Sequence, residues 1–176
     1  AAIPEYIDAF EAQYAGQDYY CLLQQRVRGQ TLQQLIDAQT RFSETEIIAL
    51  ATQLLEVLVY LHGLNPPIIH RDIKPANLIW HAGKLAILDF GGVLKHLGPA
   101  QSTVVGTYGY MAPEQFQGKA SVRSDLYSVG MTLVHALSHV HPSTMESQGL
   151  AVKIEHYLDC SLALRQWLQR LTALAP

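Results

Sequence analysis

The apolar residues near the start of the chain form short continuous runs that are typical of strands. Residues 3–10 and residues 19–24 are rich in aromatic and aliphatic side chains, and Gly16-Gln17-Asp18 between them is typical of a turn. This pattern predicts a β-hairpin. The spacing changes to a helical one at residues 32–38, where Thr31 is placed to cap a short helix.

A second helix is marked at both of its ends. Ser43 and Glu46 have the S-x-x-E spacing of a capping box, which predicts a helix start. The apolar residues that follow recur with a period near 3.6, at positions 47, 50, 51, 54, 55, 58 and 61. Gly63 and Pro66-Pro67 then predict that the helix ends at about His62.

The second half of the chain predicts a long loop followed by helices. Residues 91–114 are rich in Gly, Ser, Thr and Pro and have no helical period, so they are interpreted as a functional loop. Residues 121–137 are apolar on nearly all sides, which predicts a buried helix. We expect a loop over 140–150 and one or two helices over 151–174.

A second hairpin brings two polar residues together. Two apolar runs, 78–80 and 85–88, flank a short link that contains Gly83. Asn77 precedes the first run and Asp89 follows the second. Because paired antiparallel strands place these positions at the same end, we expect the two side chains to share a metal site.

The composition indicates a single domain, one face of which packs on another part of a larger protein. The 176 residues suffice for a single core, and only 15% of them are charged, below the roughly 25% of typical domains. A net charge of −3 argues against non-specific binding of nucleic acid. The sequence shows no signal peptide and no apolar run long enough to predict a membrane span, and its start at Ala1 without Met suggests a longer or processed parent protein.

The two cysteines, Cys21 and Cys160, are too far apart in sequence to suggest a CxxC motif. They are expected to be free thiols, which suits a reducing compartment, and the predicted location is the cytoplasm. The pair His139 and His141 lacks further ligands at metal-binding spacing, so a polar helix end is the preferred interpretation.

Three motifs follow one another in the middle of the chain. They are His70-Arg71-Asp72-Ile73-Lys74-Pro75-Ala76-Asn77, then Asp89-Phe90-Gly91, then Ala112-Pro113-Glu114. In this order they resemble the catalytic loop, metal loop and activation segment of bacterial, eukaryotic-like serine/threonine protein kinases. The resemblance implies an α+β, protein-kinase-like fold. Residues 1–26 would be a remnant strand pair of the N-terminal lobe with the start of the hinge, and 27–176 a truncated helical C-terminal lobe.

The resemblance assigns the chemistry to four of these residues. Asp72 matches the residue that accepts the proton of the substrate hydroxyl, and Lys74 the cation that contacts the γ-phosphate of ATP. Asn77 and Asp89 match the Mg²⁺ ligands. The expected cofactors are therefore ATP and Mg²⁺, and the expected partner is a protein with a Ser or Thr acceptor.

Supporting roles also follow from the resemblance. His70 and Phe90 match members of a regulatory hydrophobic stack, and Thr107 a bridge between the catalytic Asp and Lys. Asp125 matches an aspartate that holds the catalytic loop, although it could also be only a charge at a helix N-terminus. Glu114 matches a residue that usually pairs with an arginine near the end of the domain, and Arg165 and Arg170 lie too early to be that arginine.

Arg71 suggests control by phosphorylation, because an arginine can clamp a phosphate through two hydrogen bonds. Ser102 and Thr103 are the candidate acceptors, and the alternative is that they are plain loop hydroxyls.

Nucleotide contacts are expected at the connection between the lobes. Gln24 matches the residue that guards the adenine pocket. Gln25 and Val27 match the backbone contacts to adenine, and Ile79 the floor under the ring. For the first three, ordinary residues at a strand end are the alternative.

Two parts of a complete kinase do not occur in this sequence. None of the 12 glycines forms a GxGxxG motif, and no lysine precedes Lys74 to bind the α- and β-phosphates. We therefore expect an active serine/threonine kinase as the parent protein and little or no activity from the 176 residues alone. A pseudokinase or truncated scaffold is the main alternative, and a small-molecule kinase of related fold is a weaker one.

Overall fold

The computed structural model describes residues 2–89 and 106–174. Within these ranges the strands form three antiparallel sheets, β1–β2, β3–β4–β5 and β6–β7. The α+β class expected from the sequence is confirmed. The elements are β1 (Tyr6–Tyr14), β2 (Gln17–Gln24), β3 (Gln30–Thr31), α1 (Leu32–Asp37), α2 (Glu44–His62), β4 (Leu78–His81), β5 (Lys84–Ile87), α3 (Val122–Ser138), β6 (Ser147–Gln148), β7 (Ala151–Val152) and α4 (Leu162–Leu171).

The first hairpin forms as predicted, but its turn is tighter. Tyr14 pairs with Gln17, so the turn contains only Ala15 and Gly16, with φ of 51° and 77°. Two positive φ values are what a two-residue hairpin turn of type I′ requires, and glycine adopts them readily.

The first strand of this hairpin begins three residues later than expected, at Tyr6. The preceding segment pairs elsewhere, because the carbonyl of Ala2 accepts a hydrogen bond of 2.8 Å from the Ile87 amide at the end of β5. The hairpin itself is exposed on both faces, and Tyr14 and Tyr20 keep 76% and 81% of their surface accessible. An isolated two-stranded sheet is marginal in water, so this hairpin needs a further partner for its stability.

The helix starts agree with their predicted caps. Ser43 Oγ accepts from the Glu46 amide at 3.2 Å, and the Glu46 carboxylate accepts from the Ser43 amide at 2.8 Å. Thr31 caps α1 in the same way. The helix ends at His62 with Gly63 as its C-cap, as predicted, although the Gly63 φ of −78° is an ordinary helical value that any residue can adopt.

By length and composition alone, α2 is apolar enough to cross a membrane, with a mean hydropathy of 1.3. Seven of its residues are nevertheless buried against the rest of the chain. A core helix passes the same test of length and composition, so this one helix is weak evidence for a membrane span.

The centre of the core is α3, as its nearly continuous apolar sequence predicts. It packs against α2 on one side and α4 on another. Gly130 allows the second approach, because a Cβ at this position would lie 2.7 Å from Thr172 Cγ2. The element that carries Asp125 is therefore held rigidly between two helices.

Three segments that were expected to be loops or helices are built differently. Of the predicted loop 91–114, residues 91–105 lie outside the described residues, and residues 106–114 contain the start of a 3₁₀ helix, Pro113–Gln117. A second 3₁₀ helix, Pro142–Thr144, lies in the predicted loop 140–150. The predicted helical segment 151–174 begins with β7 and a third 3₁₀ helix, Ile154–His156. The helix is delayed because Gly149, with φ of 63°, turns the chain into the β6–β7 hairpin.

A cluster of rings, buried at Tyr110 and His135 and exposed at His141, links α3 to the segment after residue 106. The Tyr110 hydroxyl lies 2.6 Å from Nδ1 of His135, and the rings of His135 and His141 are 5.3 Å apart. Burial lowers the pKa of His135 to about 4, helped by His141 and His139 and opposed by the negative charge of Asp37. His135 is therefore neutral at physiological pH.

This cluster predicts a pH-dependent stability. The folded pKa of His135 lies below its ordinary value of 6.5. The stability that neutral His135 contributes is therefore fully present above pH 6.5 and is lost as the pH falls towards 4. We expect the loss in the free energy of unfolding to be about 1–3 kcal/mol. As the pH falls towards 4, the free energy of unfolding measured in urea should decrease less for His135→Phe than for the unsubstituted chain. His81→Asn, on the surface, is the control, and equal losses in the His135 variant would contradict the prediction.

Candidate active site

The segment from His70 to Asn77 lies between α2 and β4 and is fastened to α3. Both carboxylate oxygens of Asp125 accept backbone hydrogen bonds from it, Oδ2 from the His70 amide at 2.9 Å and Oδ1 from the Arg71 amide at 2.8 Å. His62 Nε2 lies 2.8 Å from Oδ2. Asp125 is fully buried, so these donors compensate the cost of removing its charge from water.

The side chain of His70, the first residue of this segment, is completely buried. Burial lowers its pKa, and the negative charge of Asp125 opposes that shift without reversing it. A neutral, packed imidazole at this position acts as a structural support for the loop.

Asp72, Lys74 and Thr107 form a hydrogen-bonded triangle. Lys74 Nζ lies 2.8 Å from Asp72 Oδ2 and donates to Thr107 Oγ1 at 2.7 Å. The Thr107 hydroxyl in turn donates to Asp72 Oδ1 at 2.7 Å. Thr107 lies 33 positions after Lys74 and 35 positions after Asp72 in the sequence. The three residues together hold the Asp72 carboxylate in a fixed orientation beside the Lys74 ammonium group.

Asn77 is attached to the same carboxylate. Its Nδ2 donates to the Asp72 carbonyl at 2.8 Å and to Asp72 Oδ2 at 3.2 Å. Because the amide nitrogen makes both bonds, only the amide oxygen of Asn77 can serve as a metal ligand.

Asp89 lies at the same end of the β4–β5 hairpin as Asn77. Leu78 pairs with Ile87, and the Leu88 amide donates to the Asn77 carbonyl at 2.7 Å. An amide oxygen and a carboxylate are hard donors, which fit Mg²⁺. Across the described ranges, no three His, Cys, Asp or Glu side chains converge as a metal site, so this pair would need ligands from a bound substrate or water.

The residues expected to contact adenine occupy the connection after β2. Gln24 ends β2, and the Gln25 amide donates to the Glu5 carbonyl at 2.8 Å, so only the carbonyl of Gln25 remains for a ligand. Val27 follows in the connection to β3, which pairs Thr31 with Ile79 of β4. The pairing brings the connection close to Ile79, since a Cβ on Gly29 would lie 2.7 Å from Ile79 Cγ2.

Glu114 has a partner that the sequence did not suggest. Its carboxylate accepts a bond of 2.6 Å from the Ser124 hydroxyl in the first turn of α3. Arg170 and Arg123 line the same cavity of about 220 Å³ as Glu114, while Arg165 donates to the Leu158 carbonyl instead.

A second cavity, of about 350 Å³, is lined in part by residues of the segment 108–117, which follows Thr107, and by residues of the segment 142–152. Its wall carries no charged side chain and includes Tyr108, Met111, Phe116 and Leu150. The exposed rings of Tyr108 and Phe116 meet edge to face at 6.5 Å. This cavity can receive an uncharged side chain.

Phe90, Ser102 and Thr103 lie outside the described residues. The sequence missed His62, Ser124 and Gln115, which bond to the predicted site residues from distant positions. The capping pattern of Ser121 and Ser124 could have drawn attention to Ser124, but no local signal marks the other two.

Comparison with known proteins identifies relatives of this chain. The protein kinase domain family matches residues 1–168. Serine/threonine-protein kinase PknA of Nostoc sp. (strain PCC 7120) is 33% identical over 183 residues, which cover 97% of this chain and 32% of that protein. Serine/threonine-protein kinase C of Synechocystis sp. is 38% identical over 142 residues, 75% of this chain and 26% of its own length.

A eukaryotic relative has a similar sequence identity to this chain. Mitogen-activated protein kinase kinase 1c of Physcomitrium patens is 38% identical over 143 residues, which are 79% of this chain and 41% of that protein. The chain therefore spans less than half the length of each of these curated relatives.

Proposed function

Because this chain belongs to the protein kinase family, we propose that its parent protein transfers the γ-phosphoryl group of Mg-ATP to Ser or Thr hydroxyls of a protein. The observation that carries the proposal is the triangle of Asp72, Lys74 and Thr107 with Asn77 attached to it.

In the proposed reaction the substrate hydroxyl oxygen bonds to the γ-phosphorus while the bond from that phosphorus to the ADP oxygen breaks. Asp72 orients the hydroxyl and takes its proton, and a carboxylate suffices because the proton leaves late. Lys74 stabilises the negative charge on the transferred phosphoryl oxygens. Thr107 holds both groups at the distances given above.

We propose that Asn77 and Asp89 hold Mg²⁺, which would neutralise the charge of the triphosphate. Gln25 and Val27 would bind the adenine edge through their backbone groups, over Ile79. An uncharged residue of the substrate would occupy the cavity beside Tyr108. In this proposal the protein acts in the cytoplasm, with a protein substrate and no nucleic acid partner.

The domain division is also part of the proposal. Residues 1–26 would belong to an N-terminal lobe whose remaining strands come from elsewhere in the parent protein, and 27–176 to the C-terminal lobe. The exposed faces of β1 and β2 support this, because their aromatic side chains keep 45–81% of their surface accessible.

The test is an assay of the purified parent protein with Mg-ATP and a generic protein substrate, followed by phosphoamino-acid analysis. We expect phosphoserine or phosphothreonine that disappears when EDTA removes the metal. The 176-residue chain alone should transfer little or no phosphate, because no GxGxxG and no lysine precede Lys74 to hold the other phosphates. A parent protein that binds partners but transfers no phosphate would support the pseudokinase alternative instead.

We propose that phosphorylation of Ser102 or Thr103 regulates the activity through Arg71. Among the described residues none accepts a hydrogen bond from its buried Nε. Burial lowers the pKa of the guanidinium, and Asp125 opposes the shift. A phosphate on Ser102 or Thr103 would supply an anion for this group.

Mass spectrometry of the active parent protein should find phosphate on at least one of these two residues. The double variant Ser102→Ala with Thr103→Ala should then be less active. An active protein with both hydroxyls unmodified would make them plain loop residues.

A further inference from the structure

Gln115 lies between the catalytic loop and the segment that follows residue 106. Its side chain is 2% exposed, in the 3₁₀ helix Pro113–Gln117. Its Nε2 donates to the Arg71 carbonyl at 3.0 Å, and its Oε1 accepts from the Ala112 amide at 3.2 Å. One side-chain amide therefore joins two backbone segments that are about forty residues apart.

The two partners fix the orientation of that amide. The Arg71 carbonyl can only accept and the Ala112 amide can only donate, so both bonds form in one of the two possible flips of the Gln115 side chain. The backbone N–H of Gln115 also closes the local turn by donating to the Ala112 carbonyl at 2.9 Å. A carboxylate or an apolar side chain cannot replace both bonds.

The Arg71 carbonyl belongs to the peptide that leads directly into Asp72. Arg71 has a φ of +70°, a left-handed conformation that a non-glycine residue keeps only when its surroundings hold it. Asp125 holds the amide side of Arg71 at 2.8 Å, and Gln115 holds the carbonyl side. Gly106 also passes close by, since a Cβ there would lie 3.0 Å from the Arg71 carbonyl oxygen.

We propose that Gln115 is a positioning residue for Asp72: by joining the Arg71 carbonyl to the Ala112 amide, it sets the peptide plane from which the Asp72 carboxylate extends. The inference rests on the proposed kinase activity. It makes catalysis depend on a side chain that touches neither nucleotide nor substrate. It also couples Asp72 to the segment that carries Thr107, because Ala112 and Thr107 lie in one continuous stretch.

The first test is Gln115→Met in the parent protein, since methionine has similar length and makes neither bond. We expect kcat to fall about 10- to 100-fold because the reacting oxygen is misplaced. The KM for ATP should stay within about twofold, because no ground-state contact to the nucleotide is lost. Gln169→Met, exposed on α4, is the matched control. A kcat within about threefold of the unsubstituted enzyme would overturn the proposal.

Gln115→Glu separates positioning from packing. A carboxylate can still accept from the Ala112 amide but cannot donate to the Arg71 carbonyl, whereas the protonated acid can do both. The ratio of the variant's kcat to that of the unsubstituted enzyme should therefore rise as the pH falls from about 8 to about 6. Gln169→Glu should show a constant ratio, and a constant ratio in the Gln115 variant would refute the inference even if the Met variant fails to fold.

Hydrogen exchange of the parent protein gives a readout that is independent of activity. The Ala112 amide should exchange at least about tenfold faster in Gln115→Met and remain protected in Gln115→Glu. An unsubstituted parent without kinase activity would remove the proposed function, while this exchange pattern would still establish the link between the two segments. Unchanged exchange in Gln115→Met would show that the link does not exist.

Discussion

Asp72→Asn is expected to lower the kcat of the parent protein by about 10²–10⁴-fold, because the amide cannot take the proton of the substrate hydroxyl. Asparagine has the same shape, so its oxygen can take the position of Asp72 Oδ2, where it accepts from Lys74 and Asn77. Its nitrogen can then donate to Thr107 Oγ1. The KM for ATP should change little, since Asp72 is proposed to contact the acceptor hydroxyl and not the nucleotide.

Steady-state kinetics with Mg-ATP at several concentrations measure this effect. The free energy of unfolding should stay close to that of the unsubstituted protein, because the Asp72 side chain is 16% exposed and keeps most of its hydrogen bonds. Asp159→Asn makes the same chemical change at an exposed position and should leave kcat unaltered. Activity within about tenfold of the unsubstituted enzyme would remove Asp72 from the proton-accepting role.

Asp125→Ala is expected to destabilise the fold by about 3–5 kcal/mol. The substitution removes the acceptor for the His70 and Arg71 amides, and both lie where water cannot easily replace it. His62 loses its partner as well. The same change should abolish phosphoryl transfer, because Asp72 is the next residue in the loop that Asp125 holds.

Urea unfolding of the purified protein measures the first effect. Asp159→Ala on the surface should change the stability by less than about 0.5 kcal/mol. Asp125→Asn keeps an oxygen that can accept one or two of the bonds and should lie between the two variants. A stability of Asp125→Ala equal to that of the surface control would mean that the catalytic loop is held by other contacts.

The parts of the fold with local signals could be predicted. The capping box of Ser43 and Glu46 fixed the start of α2, and the Gly83 link placed Asn77 and Asp89 at one end of a hairpin. These signals work because the interacting groups are close in sequence. The prediction of one or two helices over 151–174 is met by α4 alone. The apolar spacing of the first part also fits a helix, but Gly149 and the pairing of β6 with β7 override it.

The sequence by itself determined the family to which this chain belongs, and the order of its motifs selects Asp72, Lys74, Asn77 and Asp89 as the groups on which the proposed phosphoryl transfer rests. Only the tertiary structure decided how those groups are held. Gln115 reaches the Arg71 carbonyl, Ser124 reaches Glu114, and His62 reaches Asp125. These bonds depend on how α2, α3 and the catalytic loop pack together, and a buried polar group takes whichever partner the packing brings within about 3 Å.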